Sequence, residues 1–214
     1  MSALAPMLVL ALDTCGLSGS ITLGRVDSGT VDVLAQTALA GKTYSACLVP
    51  ALRAMLQEQG IEAADLNAVV VVNGPGSFTG VRIGVSSAKG LADALDIPLL
   101  AVSRLAVLAR KAQSRCAALD AGRGEFYLRS GDQEYLIGAK DLPYLSTDAI
   151  AVCEASAQRM FTTAVLVEPP AALDALHSAL PRLLARDYSD PRTLDGNYVR
   201  RSDAEIFAKA VGKA

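Results

Sequence analysis

Short apolar runs and longer stretches of helical periodicity alternate along the chain, and the most informative junction between the two lies near its middle. Val69 to Val72 are four consecutive β-branched residues, the pattern of a strand buried on both faces. The run stops at Asn73-Gly74-Pro75-Gly76, a tight-turn sequence in which Gly76 is expected to need a positive φ. A helix is predicted from about residue 80 to 95, capped by Ser77 or Thr79, with Val81, Val85, Ala88, Ala92 and Leu95 on one face. Beside that face runs a row of Gly80, Gly84, Ser87 and Leu91, and Arg82, Lys89 and Asp93 take the polar side. A row of small residues lets a second helix approach closely, from the same domain or from a partner.

The opening third reads as an antiparallel meander. Residues 7–13 form a strand ending in the carboxylate of Asp13, residues 14–19 turn, and residues 20–24 return in period two. Asp27-Ser28-Gly29 is a hairpin signal, followed by a third strand over 31–38. A helix over 45–59 gathers Leu48, Val49, Leu52, Met55 and Leu56 on its apolar face and stops at Gly60. After a strand at 97–102 and a helix capped by Ser103, the opening pattern returns: 116–120 and 125–129 repeat strand, terminal aspartate, small-residue turn and strand. Ala11-Leu12-Asp13 matches Ala118-Leu119-Asp120 directly. A returning strand at 134–137, a loop at 140–147, short strands at 149–153 and 164–167, and a brief helix at 155–161 follow. A helix beginning at Pro169-Pro170 is expected to break or kink at Pro181. Residues 187–197 form a polar loop, and Ser202 with Glu205 gives a capping box for a last short helix.

Composition narrows the chemistry. Half of the 214 residues are apolar, enough for a sizeable core, while 20 Lys and Arg against 22 Asp and Glu leave a slightly acidic field. With no Trp and no basic run, binding of RNA by this chain alone is not expected. Cys15, Cys47, Cys116 and Cys153 never form Cys-x-x-Cys and read as reduced residues of a cytoplasmic protein; there is no basic leader and no apolar run of membrane-spanning length. His177 is the only histidine, so histidine-based metal sites and triads have no ligand set as usually built. Asp13 and Asp120 remain: a strand-end carboxylate can hold hydrated Mg²⁺ against a phosphate, or accept backbone N–H groups in its own turn. The junction at Asn73 likewise suits an anion at a helix N-terminus or merely a sharp connection, and it has neither the Walker nor the dinucleotide spacing. The candidate phosphate-type positions are thus Asp13, Thr14, Gly74, Gly76, Ser77 and Asp120; no catalytic residue and no metal ligand is assigned.

Several motifs carry a resemblance: Leu10-Ala-Leu-Asp-Thr14, Asn73-Gly-Pro-Gly-Ser-Phe-Thr-Gly-Val-Arg-Ile-Gly84, Ala88-Lys-Gly-Leu-Ala92, Asp96-Ile-Pro98 with Val102-Ser103, and Asp120-Ala-Gly-Arg-Gly-Glu-Phe-Tyr127. On these the chain resembles the TsaB (YeaZ) family, bacterial proteins that take part in making N6-threonylcarbamoyladenosine in tRNA. The resemblance implies an α/β, actin/hexokinase/Hsp70-like (ASKHA) fold of two RNase H-like lobes: 1–104 as the partner-binding lobe, 105–201 as a smaller second lobe, and 202–214 as a C-terminal helix packing back on the first. It implies a non-catalytic subunit that binds TsaD, the transferase acting on adenosine 37, with TsaE joining and tRNA reached through the complex. ATP or ADP and a metal ion then belong to the partner proteins, no cofactor is assigned to this chain, and both homodimer and monomer stay open for the protein alone. The implied contact is a four-helix arrangement through Gly80, Arg82, Ile83, Gly84, Ser87 and Leu91. The alternative is a stand-alone kinase or ATPase of the same fold with Asp13 holding the metal. The chain departs from the family pattern at Cys15, commonly Ser, at Tyr44, commonly His, and at Asn197, frequently Pro, and its second lobe is short.

Overall fold

The computed structural model describes residues 5–41, 43–138, 141 and 148–199. Strand β1 (Met7–Asp13) is the centre of the first sheet, with every residue from Val9 onward buried. It pairs antiparallel with β2 (Gly19–Asp27), which pairs antiparallel with β3 (Thr30–Leu39), the meander its alternation predicts. On its other side β1 runs parallel to β4 (Ala68–Val72), and β4 to β5 (Leu99–Val102), giving the order β3-β2-β1-β4-β5. All five residues of β4 are fully buried, as the valine run requires.

Such a strand needs a cover on each face. Helix α1 (Tyr44–Glu58) packs on β3, and α2 (Phe78–Leu95) packs on β4, β1 and β5. Val71 faces α2, its Cγ2 lying 3.8 Å from where a Gly84 Cβ would sit. Gly24 faces the other way, 2.7 Å from Leu176 Cδ2 by the same measure. Register explains the opposition: Gly24 pairs with Val9 and Val9 with Ala68, three positions from Val71 and so on the opposite face. The second cover is α5 (Ala172–Leu184), which buries Ala172, Ala175, Leu176, Ala179 and Leu183.

The lobes therefore divide differently from the expected 1–104 and 105–201. The first unit takes residues 1–107 and also 170–197, and residues 108–169 form the body of the second. The reason is burial: β4 is apolar on two faces, and the chain returns to cover the second of them. Nor does α5 break at Pro181. That residue is exposed in the last turn, and Ala185 N still donates to Pro181 O at 3.1 Å. The expected helix over 202–214 lies outside the described residues, as does nearly all of the loop at 140–147.

The second unit repeats the topology of the first. Helix α3 (Arg104–Lys111) leads to β6 (Cys116–Gly122), antiparallel to β7 (Glu125–Ser130), itself antiparallel to β8 (Gln133–Gly138). Beyond β6 come β9 (Ile150–Val152) and β10 (Ala164–Leu166), both parallel. The order β8-β7-β6-β9-β10 reproduces that of the first sheet, strand for strand. With α4 (Ala155–Met160), this sheet closes a smaller core around Phe126 and Phe161, whose rings meet edge-on at 5.3 Å.

Leu176→Ala tests the return of α5. Removing a fully buried leucine should lower the unfolding free energy by about 2–5 kcal/mol in urea titrations. A loss under about 0.5 kcal/mol, the range of surface substitutions, would mean that α5 does not close the first core.

Candidate functional site

Four contacts order the junction of β1, β4 and α2. Cys15 N donates to Asp13 Oδ1 at 2.8 Å, so the carboxylate accepts within its own turn. Thr14 Oγ1 donates to Gly80 O at 2.7 Å, Cys15 Sγ to Val72 O at 3.2 Å, and Ser77 N to Cys15 O at 2.9 Å. Ser77 is also the cap of α2, its Oγ accepting from Gly80 N at 3.3 Å. The carbonyl of Cys15 thus takes a backbone N–H at the positive end of α2, where a bound anion would otherwise draw on it. Asp13, Thr14, Gly74, Gly76 and Ser77 do come together, and the geometry among them is that of a sharp, closely packed connection.

The glycines have a different purpose from the one their spacing suggests. A Cβ at Gly76 would meet Cys15 O, one at Gly80 would meet Thr14 O, and one at Gly84 would meet Thr14 Oγ1. Gly80 and Gly84 are accordingly buried against their own lobe and do not lie on a surface open to another protein. This corrects the expectation that both belong to a partner contact: the small row lets α2 settle onto the β1–β2 turn. Gly76 does not need a positive φ either. That conformation belongs to Gly74, at φ 108°, whose carbonyl accepts from Arg104 N at 2.6 Å.

Outside this junction, α2 presents a second strip. Arg82 is exposed with its guanidinium 4.0 Å over the half-exposed ring of Phe78, and Ile83, Ser87 and Leu91 are half-buried. Ser86 and Gly90 are exposed, and a Cβ at Gly90 would meet nothing. Neighbouring α1 adds Val49, which was expected on that helix's buried apolar face and is instead 54% exposed. Spacing alone placed the small row one position too far toward the core; the half-buried to exposed strip Ile83, Ser86, Ser87 and Gly90 has the same periodicity.

Electrostatics around Asp13 follow from burial. The carboxyl is 1% exposed, and burial raises its pKa above 3.8, opposed chiefly by the nearby Arg104 guanidinium and by the Cys15 N–H. Burial, then the charge of Asp13, pushes the Cys15 thiol well above its ordinary value, so it stays protonated and is no nucleophile at neutral pH. Burial, again followed by Asp13, pushes Tyr44 up to about 12, and its hydroxyl donates to Gly16 O at 2.9 Å. Nothing in the local sequence announces Arg104 as a neighbour of Asp13; it stands just after the Ser103 cap that opens α3.

Asp120 is in the second unit and repeats the turn of Asp13. Its Oδ1 accepts from Gly122 N at 2.7 Å, and its own N donates to Glu154 Oε2 at 2.8 Å. Unlike Asp13 it is exposed. Among the described residues no group of three or more His, Cys, Asp or Glu is placed to hold a metal ion, and no helix is long and apolar enough to cross a membrane.

Two sheets with one strand order, each a three-stranded meander continued by two parallel strands and covered by helices, define a two-lobed α/β protein of the ASKHA-like class. A family model described as TsaD, tRNA N6-adenosine threonylcarbamoyltransferase, matches residues 35–185, and the chain belongs to this family. Within it the likeness is to TsaB, also called YeaZ. TsaB of Bacillus subtilis is 38% identical over 125 residues, 56% of this chain and 53% of that protein. TsaB of Escherichia coli is 36% identical over 127 residues, with the same coverage. The matched part spans about half the length of these relatives. An uncharacterized protein of Mycobacterium tuberculosis is 32% identical over 211 residues, 94% of this chain and 95% of that one. The solved structure of YeaZ from Pseudomonas aeruginosa superposes with a TM-score of 0.72 at 25% identity, over 90% of this chain and all of that one.

Two expected outcomes follow from the junction. Gly84→Leu should destabilise the free protein by about 1–3 kcal/mol, because Thr14 and Val71 leave no room for a side chain. An unchanged urea midpoint would mean that α2 stands off from β1. The second concerns pH. Because the folded pKa of Asp13 is raised, its contribution to stability is fully present below pH 3.8 and is lost as pH rises through the folded value. The stability of the wild type relative to Asp13→Asn should therefore fall with rising pH above 3.8 and then level off. A relative stability that climbs over that range would reverse the sign assigned to the site.

Proposed function

We propose that the chain is a non-catalytic subunit that binds and supports TsaD in threonylcarbamoyl transfer to adenosine 37 of tRNA. The observation that carries this reading is the exposed strip on α2 and α1: Phe78, Ile83, Ser86, Gly90 and Val49 offer a small, apolar surface of helical period. Ser86, Gly90 and Val49 are exposed and stand clear of the close packing that occupies Gly80 and Gly84, so a pair of partner helices can dock there in a four-helix arrangement. The names of the TsaB relatives, biosynthesis proteins for tRNA threonylcarbamoyladenosine, support the pathway.

The chemistry around Asp13 supports the non-catalytic part. A fully buried carboxylate, a thiol held protonated and a tyrosine used as a backbone donor leave no free acid, base or nucleophile at the junction. A stand-alone kinase or ATPase would need Asp13 within reach of a nucleotide-bound metal. In this reading the nucleotide and metal belong to TsaD and TsaE, and the slightly acidic field leaves most tRNA affinity to the partner. The work is cytoplasmic, and the same strip would pair two copies of the chain when no TsaD is present.

Gly90→Arg separates docking from folding. The position has open space around it, and replacing an internal helical glycine restores helix propensity, so the melting temperature should hold or rise. Affinity for TsaD, measured by calorimetry, should fall about 5- to 150-fold, the equivalent of about 1–3 kcal/mol of overpacking. Undiminished binding by both Gly90→Arg and Ser86→Arg would remove the strip from the interface.

A further inference from the structure

Asp13 and Arg104 are two of the few charged side chains buried in the first lobe, at 1% and 7% exposure. Each keeps one buried atom without a hydrogen-bond partner, Oδ2 of the carboxylate and Nε of the guanidinium. One is an acceptor and the other a donor, and they belong to opposite charges. Arg104 reaches the turn because residue 16 is glycine: its Nη2 lies 2.7 Å from where a Gly16 Cβ would stand. Its backbone is held as well, since Arg104 N donates to Gly74 O and Ser103 Oγ caps the helix that starts at Arg104. The guanidinium is thus fixed at the β1–β2 turn by α3, by the Gly74 turn and by the missing side chain of Gly16. Among the described residues Arg104 is the cation that acts most strongly on Asp13, while Asp174 of α5 acts on it as a second negative charge.

We infer that Arg104 is the resident cation of the Asp13 turn, supplying from α3 the positive charge that a strand-end carboxylate otherwise takes from a hydrated divalent ion. Two physical reasons exclude sharing. Mg²⁺ keeps several of its waters, and a carboxylate 1% exposed has no room for a hydrated ion. A guanidinium beside the same carboxylate would repel a divalent cation through an interior of low dielectric. The second lobe shows the contrast. Asp120 makes the same Asx turn but is exposed, and the side chain that reaches its backbone is the carboxylate of Glu154. The repeat therefore carries two aspartates of equal local geometry and opposite surroundings. This inference does not depend on TsaD docking, which the affinity measurement tests separately.

The test pairs a double-mutant cycle with a metal titration. Breaking a buried charge pair from one side is costly, so Arg104→Met should lower the melting temperature by roughly 6–20 °C at neutral pH. In the Asp13→Asn background the same substitution should cost less than half as much, because no buried carboxylate is left uncompensated. Equal drops in both backgrounds would overturn the inference. Should Arg104→Met fail to fold, Arg104→Gln removes the charge but keeps a polar side chain, and replaces it in the cycle. The wild-type protein supplies the independent arm: Mn²⁺ at millimolar concentration should leave its melting temperature unchanged and show no protein-bound signal by electron paramagnetic resonance. Bound Mn²⁺ that Asp13→Asn abolishes would place a metal where Arg104 is assigned.

Discussion

The first lobe depends on how closely α2 approaches the end of β1. Three glycines, Gly76, Gly80 and Gly84, stand where Thr14 and Cys15 press against the helix, and a Cβ at any of them would strike a Thr14 or Cys15 oxygen. That approach lets Thr14 Oγ1 and Ser77 N make their hydrogen bonds. The intrinsic cost of internal glycines, roughly 1 kcal/mol each, is offset by the burial of the apolar face that includes Val81, Val85, Ala88 and Ala92. The other side of α2 needs no such approach and is left to the surface.

Much of the fold was legible because each segment's period matched its environment. The four valines announced a strand covered twice, and the matched Ala-Leu-Asp segments announced two copies of one topology. The lobe boundary was not legible, because nothing in residues 170–184 states which sheet their apolar face will meet. A helix with Ala172, Ala175, Leu176, Ala179 and Leu183 inward fits either core equally well on pattern alone. Pro181 misled for a related reason: in an exposed last turn, the lost N–H bond faces water and the helix continues.

The candidate site was legible in its members and misread in its purpose. Asp13, Thr14, Gly74, Gly76 and Ser77 converge as their motif suggested, yet an oxygen of the chain itself sits where an anion was one option. Glycine spacing cannot distinguish a cradle for a ligand from a seat for a backbone carbonyl, since both demand the same absence of a side chain. Arg104 lies about ninety residues along the chain from Asp13 and is brought to it only by tertiary packing, which no local pattern encodes.

The return of α5 to the first sheet makes residues 108–169 an insertion within the first lobe. Residues 108–169 must therefore leave the ribosome before the helix that covers the far side of β4 has been synthesised. Until then the Val9–Ala68 face of the nascent sheet is uncovered hydrophobic surface, while all five strands of the second sheet are already made. Covering of the earlier sheet thus comes after synthesis of the later one, an inversion of the usual order of synthesis and folding. The freshly made protein is, for the length of about seventy residues of translation, a client for any chaperone that binds open apolar sheets.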